Sequence, residues 1–237
     1  MPLGKSFRIL SANLKNGAAD PDAFANQVAA LAVDVLALQE VSFDQAEPLT
    51  RLLDFGEIVP SDYFIGRGLL CRHPVKIERV PLVWGFALTA RLEPGDWNPL
   101  TGPVEIMNLH VAAPHMLSPL PGPVLRWHQG REFDAFLARA DQGTQPAPAR
   151  LMVGDFNSTP GWPWYRRMAS RFSDAAVEFA AKSGASTEPT WGPLPSGPKV
   201  LRIDHGFTRG LEVEGFEVLE IAGSDHSALV IDLAYPS

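Results

Sequence analysis

The chain has 237 residues, 46% hydrophobic and 20% charged, with 27 acidic against 20 basic side chains and a formal net charge of −7. Those values fit a globular protein with a buried core, as one large α/β domain or two small ones, and exclude a disordered or fibrous chain. The acidic balance argues against a protein that grips nucleic acid mainly through its phosphate backbone. Arg166, Arg167 and Arg171 come nearest to a basic stripe, and their helical spacing makes them a solvated face.

Residues 7–14 read as a strand that ends at Asn13, with Lys15-Asn16-Gly17 as a turn. Lys5, Arg8 and Asn13 break up the apolar pieces at the start, so neither a signal peptide nor a membrane anchor is expected. Asp20 caps a helix with Pro21 at its first position and Phe24, Val28 and Leu31 on one face. Residues 33–38 are almost wholly apolar, which suits a strand covered on both sides, and Gln39-Glu40 follows. A second helix is expected over residues 44–55, stopped by Gly56. Residues 57–92 read as antiparallel strands at 63–65, 68–71, 75–80 and 83–92. Cys71, the only cysteine, reads as a small buried hydrophobe and points to a reducing compartment, so the cytoplasm is the expected location.

A loop around Trp97 leads to a strand over residues 104–111 with His110 near its end. Residues 112–123 are too rich in proline for regular structure, and a long loop directly after His110 is a functional candidate. A helix over 124–140 and a polar linker over 141–149 follow. The apolar run 151–153 then meets Gly154-Asp155-Phe156-Asn157, with Ser158 or Thr159 as cap and Pro160 as first residue of a helix. On an extended backbone Asp155 and Asn157 project to one side and Phe156 to the core. The alternative is an Asx-type turn that satisfies only the backbone. Helices carrying Trp164 and Met168 and spanning 174–182 precede a Pro/Gly-rich loop over 188–199 that contains Trp191. A strand over 200–203 ends in Asp204-His205, another covers 211–221, and Gly223-Ser224-Asp225-His226 opens a last strand over 228–233. No repeat, P-loop, dinucleotide fingerprint or zinc spacing is present, and a single domain over residues 1–237 is expected.

The polar residues that punctuate these strands are Asn13, Glu40, His110, Asp155 with Asn157, Asp204, and Asp225 with His226. Each can be a metal ligand, an acid or base, or a phosphate donor, and strand ends are where such groups are grafted onto a rigid frame. Taken as Ser11-Ala-Asn13, Gln39-Glu40, Asn108-Leu-His110, Gly154-Asp-Phe-Asn157, Arg202-Ile-Asp-His205 and Ser224-Asp-His226, the chain resembles the endonuclease/exonuclease/phosphatase superfamily, the deoxyribonuclease I-like proteins, and within it uncharacterised bacterial members. The resemblance implies an α/β (α+β) fold, a four-layered sandwich of two mixed, mainly antiparallel β-sheets flanked by helices, with the site at one end. It implies Glu40 as principal Mg²⁺ ligand with Asn13 and Asp225 as further ligands, Mn²⁺ being a substitute. It implies His226, oriented by Asp204, as general base or phosphate binder, and Asp155 with Asn157 as the groups that position water and stabilise the transition state. His110 would be an acid or phosphate donor, and which histidine is the acid stays open.

His205 should face away from Asp204 and pack, while His73, His115 and His128 are expected on the surface. Lys15 stands where many relatives carry Asn or Asp, so it either touches phosphate or faces solvent, and one Mg²⁺ site is expected. The loops 112–123, 161–164 and 188–199 are rich in proline and tryptophan, which suits a small or partly apolar phosphodiester better than duplex DNA; the same tryptophans can instead pack the loops. The expected function is therefore a Mg²⁺-dependent phosphodiesterase on a small-molecule or lipid-like phosphoester, by metal-assisted attack of water. A metal-dependent nuclease is the alternative, with nucleic acid not favoured by the net charge. A catalytically silent binding module is a third reading, against which the intact set of residues argues. The oligomeric state is not legible in the sequence.

Overall fold

The computed structural model describes residues 6–97, 100–116, 120–142, 149–195 and 197–236. Strand β1 (Ser6–Asn13) sends Phe7 and Ile9 to one side and Leu10 and Ala12 to the other, all buried, so layers must cover it on both faces. Asp20 opens α1 (Pro21–Leu31) by accepting the N–H groups of Asp22 and Ala23, and α1 lays Phe24 and Val28 on the sheet. β2 (Val35–Gln39) runs parallel to β1 with Gln39 level with Asn13. A capping box between Ser42 and Gln45 starts α2 (Phe43–Thr50), and β3 (Phe55–Val59) and β4 (Arg67–Cys71) pair antiparallel. Then come β5 (Lys76–Pro81), β6 (Phe86–Leu92), β7 (Val104–His110), α3 (Gly122–Ala140), β8 (Ala149–Asp155), α4 (Pro163–Ala169) and β9 (Ser173–Asp174). α5 (Ala175–Ser183), β10 (Asp204–Arg209), β11 (Glu212–Glu220) and β12 (Ser227–Ala234) complete the chain.

The strands make two six-stranded sheets, in the orders β11-β12-β1-β2-β4-β3 and β5-β6-β7-β8-β10-β9. β1–β2 and β7–β8 are parallel and the other pairs antiparallel. Ile9, Val35, Leu69, Ile106, Leu151 and Ile231 belong to the apolar layer between the sheets. Residues of α1 and α2 pack on the first sheet, and residues of α3 and α4 on the second, which gives the four-layered sandwich. No helix among the described residues is long and apolar enough to cross a membrane.

This topology concentrates the site. The parallel pairs finish together, β1 and β2 at Asn13 and Gln39, β7 and β8 at His110 and Asp155. β10 and β12 run the other way, so the edge where those strands end is the edge where these begin; Asp204 pairs with Asp155, and His226 directly precedes β12. Gly154 makes the close pairing possible. Its φ is +136°, and a Cβ there would lie 2.0 Å from the Leu109 carbonyl oxygen.

Several sequence expectations are corrected. The second helix ends at Thr50, and Gly56 lies inside β3, where φ is +112° and a Cβ would meet the Leu69 carbonyl at 2.2 Å. Residues 63–65 form a turn. Residues 200–203 give only an isolated bridge between Leu201 and Trp191, so Asp204 begins a strand instead of ending one. The helix after Asn157 starts at Pro163; the Ser158 hydroxyl, which would cap an earlier start, is buried and held by Arg126. Residues 117–119 of the proline-rich loop and 143–148 of the linker lie outside the described residues.

Candidate active site

The inner faces of the central strands change from apolar to polar towards one end. Gln39 Nε2 donates to Asn108 Oδ1 at 2.7 Å and to Ser11 Oγ at 3.2 Å, while Asn108 Nδ2 donates to the carbonyls of Leu38 and Gly68, each at 2.8 Å. All three side chains are buried, so this network seals the inter-sheet core and forms a rigid floor.

Beyond that floor lies a cluster of acids and imidazoles. Asn13 Oδ1 accepts the Lys15 N–H at 3.0 Å, which turns the Asn13 amide so that Nδ2 donates to Glu40 Oε1 at 3.0 Å and Asp155 Oδ2 at 3.1 Å. Glu40 follows β2 in a left-handed conformation, φ 54°. His110 Nε2 is 3.6 Å from Glu40 Oε1 and 3.4 Å from Asp155 Oδ2. Asp155 Oδ1 accepts the Asn157 N–H at 2.7 Å, and Asn157, at φ 47°, donates Nδ2 to the Val111 carbonyl at 3.0 Å and Asp155 Oδ2 at 3.2 Å. The stretch is thus an Asx turn and part of the cluster at once; Asn157 reaches Asp155 through its left-handed backbone and not through an extended one. Phe156 is buried in the core.

His226 Nδ1 lies 2.9 Å from Asp204 Oδ2, and its Nε2 faces Asp155 Oδ2 at 3.8 Å. Thr190 Oγ donates to Asp204 Oδ2 at 2.6 Å and accepts the N–H groups of Ile203 and Asp204, both at 3.1 Å. Ser224 Oγ donates to the Asn13 carbonyl at 2.8 Å and accepts the His226 N–H at 3.1 Å, tying the entry of β12 to the end of β1. Asp225 Oδ2 receives Lys15 Nζ at 3.1 Å and Trp191 Nε1 at 3.3 Å.

Burial raises the Glu40 carboxyl, against the Asn13 hydrogen bond and His226. Burial and the Asp204 charge push Asp155 up to about 7, with His226 opposing. Burial alone would lower His226, but Asp204 and Asp155 outweigh it and raise the imidazole to about 10. His110 is pushed well below its ordinary value by burial, Arg67 and His226. Glu40, His110 and Asp155 offer ligand atoms within 4.8 Å of one another, as do Asp155, Asp204 and His226. Among the described residues no lysine or arginine forms an ion pair with Glu40 or Asp155. Two buried carboxylates at one point with no such partner are the donor set that a hard divalent cation fits.

The cluster opens into a cleft of 610 Å³ whose walls include Phe64, Trp84, Trp162, Trp191, Leu201 and Ile203. Asn13, Glu40, His110, Asp155, Asn157, Asp204, Asp225 and His226 all gather at this end of the sandwich, and Lys15 reaches it through Asp225. His205 is buried apart from the cleft, its Nε2 on the Ser158 carbonyl at 2.7 Å and its Nδ1 3.1 Å from Arg202 Nη1. His115 is exposed but lines the cleft, and His128 packs edge-on against Trp127. The sequence reading passed over Thr190, a lone hydroxyl in an irregular loop with no periodicity to mark it, and Trp84, which reads as an ordinary strand residue.

Carboxylates beside a carboxylate-held imidazole, at the polar end of a two-sheet sandwich, are groups with which a phosphoester can be hydrolysed. A model of the Endonuclease/Exonuclease/phosphatase family matches residues 10–226, and the chain belongs to that family, whose members are metal-dependent phosphoester hydrolases. No curated protein matches it by sequence. The fold is shared with the human Nocturnin catalytic domain with bound sulfate anion, at 20% identity over 100% of this chain and 97% of that one, with a TM-score of 0.73. It is shared with a mannosyl-6-phosphatase of Bacteroides thetaiotaomicron, at 13% identity, 97% and 100% coverage and a TM-score of 0.71. A humanized D. rerio TDP2 shows the same likeness, at 13% identity, 96% and 98% coverage and a TM-score of 0.72.

Proposed function

We propose that the chain is a Mg²⁺-dependent phosphodiesterase, with Mn²⁺ as a substitute, acting in the cytoplasm on a small-molecule or lipid-like phosphodiester. The observation that carries this reading is the lining of the cleft. Its walls are mostly apolar, and among the described lining residues Lys15 is the one lysine or arginine, already ion-paired with Asp225. Such a cleft suits a single negative charge flanked by apolar groups, and is poorly built for a polyanion.

In this reading Glu40 holds the cation, with Asp225 and Asn13 beside it. Asn13 acts by orienting Glu40 and Asp155, since its oxygen is engaged by the Lys15 N–H. A divalent ion held there by Glu40 would supply Lewis-acid polarisation of the phosphoryl oxygen. Asp155, fixed by Asn157 and Asn13, takes the proton of the attacking water. His226, held in one tautomer by Asp204 and kept charged by its carboxylate neighbours, donates from Nε2 to a phosphoryl oxygen. His110, neutral between Glu40 and Asp155, steadies the water or the leaving oxygen.

A substrate panel with Mg²⁺ or Mn²⁺ and EDTA controls tests the assignment: bis-p-nitrophenyl phosphate, p-nitrophenyl phosphate, a phosphocholine lipid and supercoiled DNA. The diesters should be turned over in preference to the monoester and to DNA. Faster cleavage of supercoiled DNA than of bis-p-nitrophenyl phosphate would refute it.

A further inference from the structure

A second cavity, of 760 Å³, lies on the outer face of the second sheet beside the C-terminal end of α3. Leu151 and Val153 point from β8 into the layer between the sheets, so Arg150 and Met152 point outwards, towards α3. Strand register carries that outward face across the sheet. Lys76 of β5 stands beside Arg91 of β6, Arg91 beside Glu105 of β7, and Glu105 beside Arg150 of β8; the neighbouring row is Glu78, Thr89, Met107 and Met152. Four adjacent strands make this floor about 14 Å wide, and Phe136 and Arg139 of α3 wall it. Arg150 stands five residues before Asp155 on β8, about 16 Å along an extended strand, so the cavity is separate from the candidate active site.

Arg150 is only 1% exposed. Its Nε bonds Glu105 and its Nη1 bonds Asp141 at 2.6 Å, while Nη2 has no hydrogen-bond partner among the described residues. A buried guanidinium N–H left unmet is costly. With Nε and Nη1 taken, the cavity that Arg150 lines is the space from which an acceptor can come. The other charges of the lining mostly cancel: Lys76 pairs with Glu78, Arg91 with Glu93, and Arg150 with Glu105. Arg139, exposed on the helix wall, forms no ion pair among the described residues, and the acid left over, Asp96, sits on the loop after β6, two strands away from Arg150. One unmatched positive charge suits a carboxylate better than a dianion such as phosphate. Met107, Met152 and Phe136 supply the apolar surface beside it, and the two thioether chains can adapt to an unbranched alkyl group.

We propose that this cavity is a second ligand site, for an organic monocarboxylate whose oxygen accepts from Arg150 Nη2 beside Arg139 and whose apolar chain lies over Met107 and Met152. Calorimetry on the full chain compares octanoate, octylammonium and inorganic phosphate. Octanoate should bind at one site and about tenfold or more tightly than either of the others. Two substitutions place it. Arg139→Glu reverses the unpaired charge at an exposed position, and Thr89→Trp fills the middle of the floor with a residue that strands favour. Each should weaken octanoate about tenfold or more and keep the parent's urea midpoint, which separates lost binding from lost fold. Octylammonium or phosphate binding as tightly as octanoate overturns the proposal, as does an absence of octanoate binding at about 10 mM. Unchanged octanoate affinity in either variant puts the chain elsewhere, the candidate cleft included, and overturns it too. None of these outcomes bears on the phosphodiesterase reading.

Discussion

Thr190 bonds Asp204, the carboxylate that holds the His226 ring. Its hydroxyl donates to Asp204 Oδ2 at 2.6 Å and accepts two backbone N–H groups, from Ile203 and Asp204, in a fully buried position. Thr190→Val keeps the shape and removes all three bonds. Each buried N–H left without an acceptor costs about 1–3 kcal/mol, and losing a bond to a charged carboxylate costs about 1.5–3 kcal/mol. Because the two N–H groups share one oxygen and can partly relax, the loss should be about 3 kcal/mol overall. The Asp204 carboxylate, freed on one side, should hold the His226 ring less firmly, and kcat should fall about tenfold while KM changes little. Urea unfolding gives the stability change from the midpoint at unchanged slope, and steady-state turnover of bis-p-nitrophenyl phosphate with Mg²⁺ gives the rate. Thr190→Ser retains the hydroxyl and should recover most of both. A valine variant within about 0.5 kcal/mol of the parent, or one with full kcat, would show that Thr190 does not position Asp204.

Other substitutions test other parts of the frame. Gly154→Ala places a methyl group 2.0 Å from the Leu109 carbonyl at a φ of +136°, so β7 and β8 must separate beside the site, and a loss of about 3 kcal/mol or more with loss of turnover should follow. Gly161→Ala meets nothing within 4 Å and should leave the unfolding midpoint unchanged, the control for that comparison. His205 is held neutral, its imidazole pushed down to about 4 by burial and by Arg202, whose N–H it accepts. A folded-state value below the unfolded one means the unfolded chain binds the extra proton, so this contribution is present above about pH 6.5 and is lost as the pH falls towards 4. The loss should approach about 3 kcal/mol, and denaturant titrations at pH 7.5, 5.5 and 4.5 should show it shrinking in His205→Gln; an unchanged pH slope in that variant would contradict the assignment.

The site was more legible in the sequence than the fold around it. Strand ends can be read because an apolar run stops at a polar residue, and that signal is local; it located Asn13, Glu40, His110 and Asp155 at the ends of β1, β2, β7 and β8 or directly after them. Asp204 was placed correctly at the sheet edge for a partly mistaken reason, since it starts a strand, and antiparallel pairing with Asp155 puts it at the same edge. Gly56 misled because a glycine at positive φ looks alike as a helix stop and as a close contact between strands. Pro160 misled because the hydroxyl of Ser158, which resembles a cap, is held by Arg126, a partner 32 residues away in sequence. The tryptophans carried no directional signal at all. Whether an indole enters the core or walls a cleft depends on distant packing: Trp97 and Trp164 are buried in the core, and Trp162 and Trp191 line the cleft.

The central claim is that Glu40 holds a cation beside Asp155, the base, for phosphodiester hydrolysis, and turnover of bis-p-nitrophenyl phosphate by the parent and by Glu40→Gln across a Mg²⁺ titration tests it most directly. The parent should be active with Mg²⁺ and inactive in EDTA. Glu40→Gln should lose about a hundredfold or more in kcat/KM and require more Mg²⁺ for half-maximal rate. Turnover that survives EDTA, or a Glu40→Gln enzyme with the parent's Mg²⁺ dependence and rate, would contradict the account.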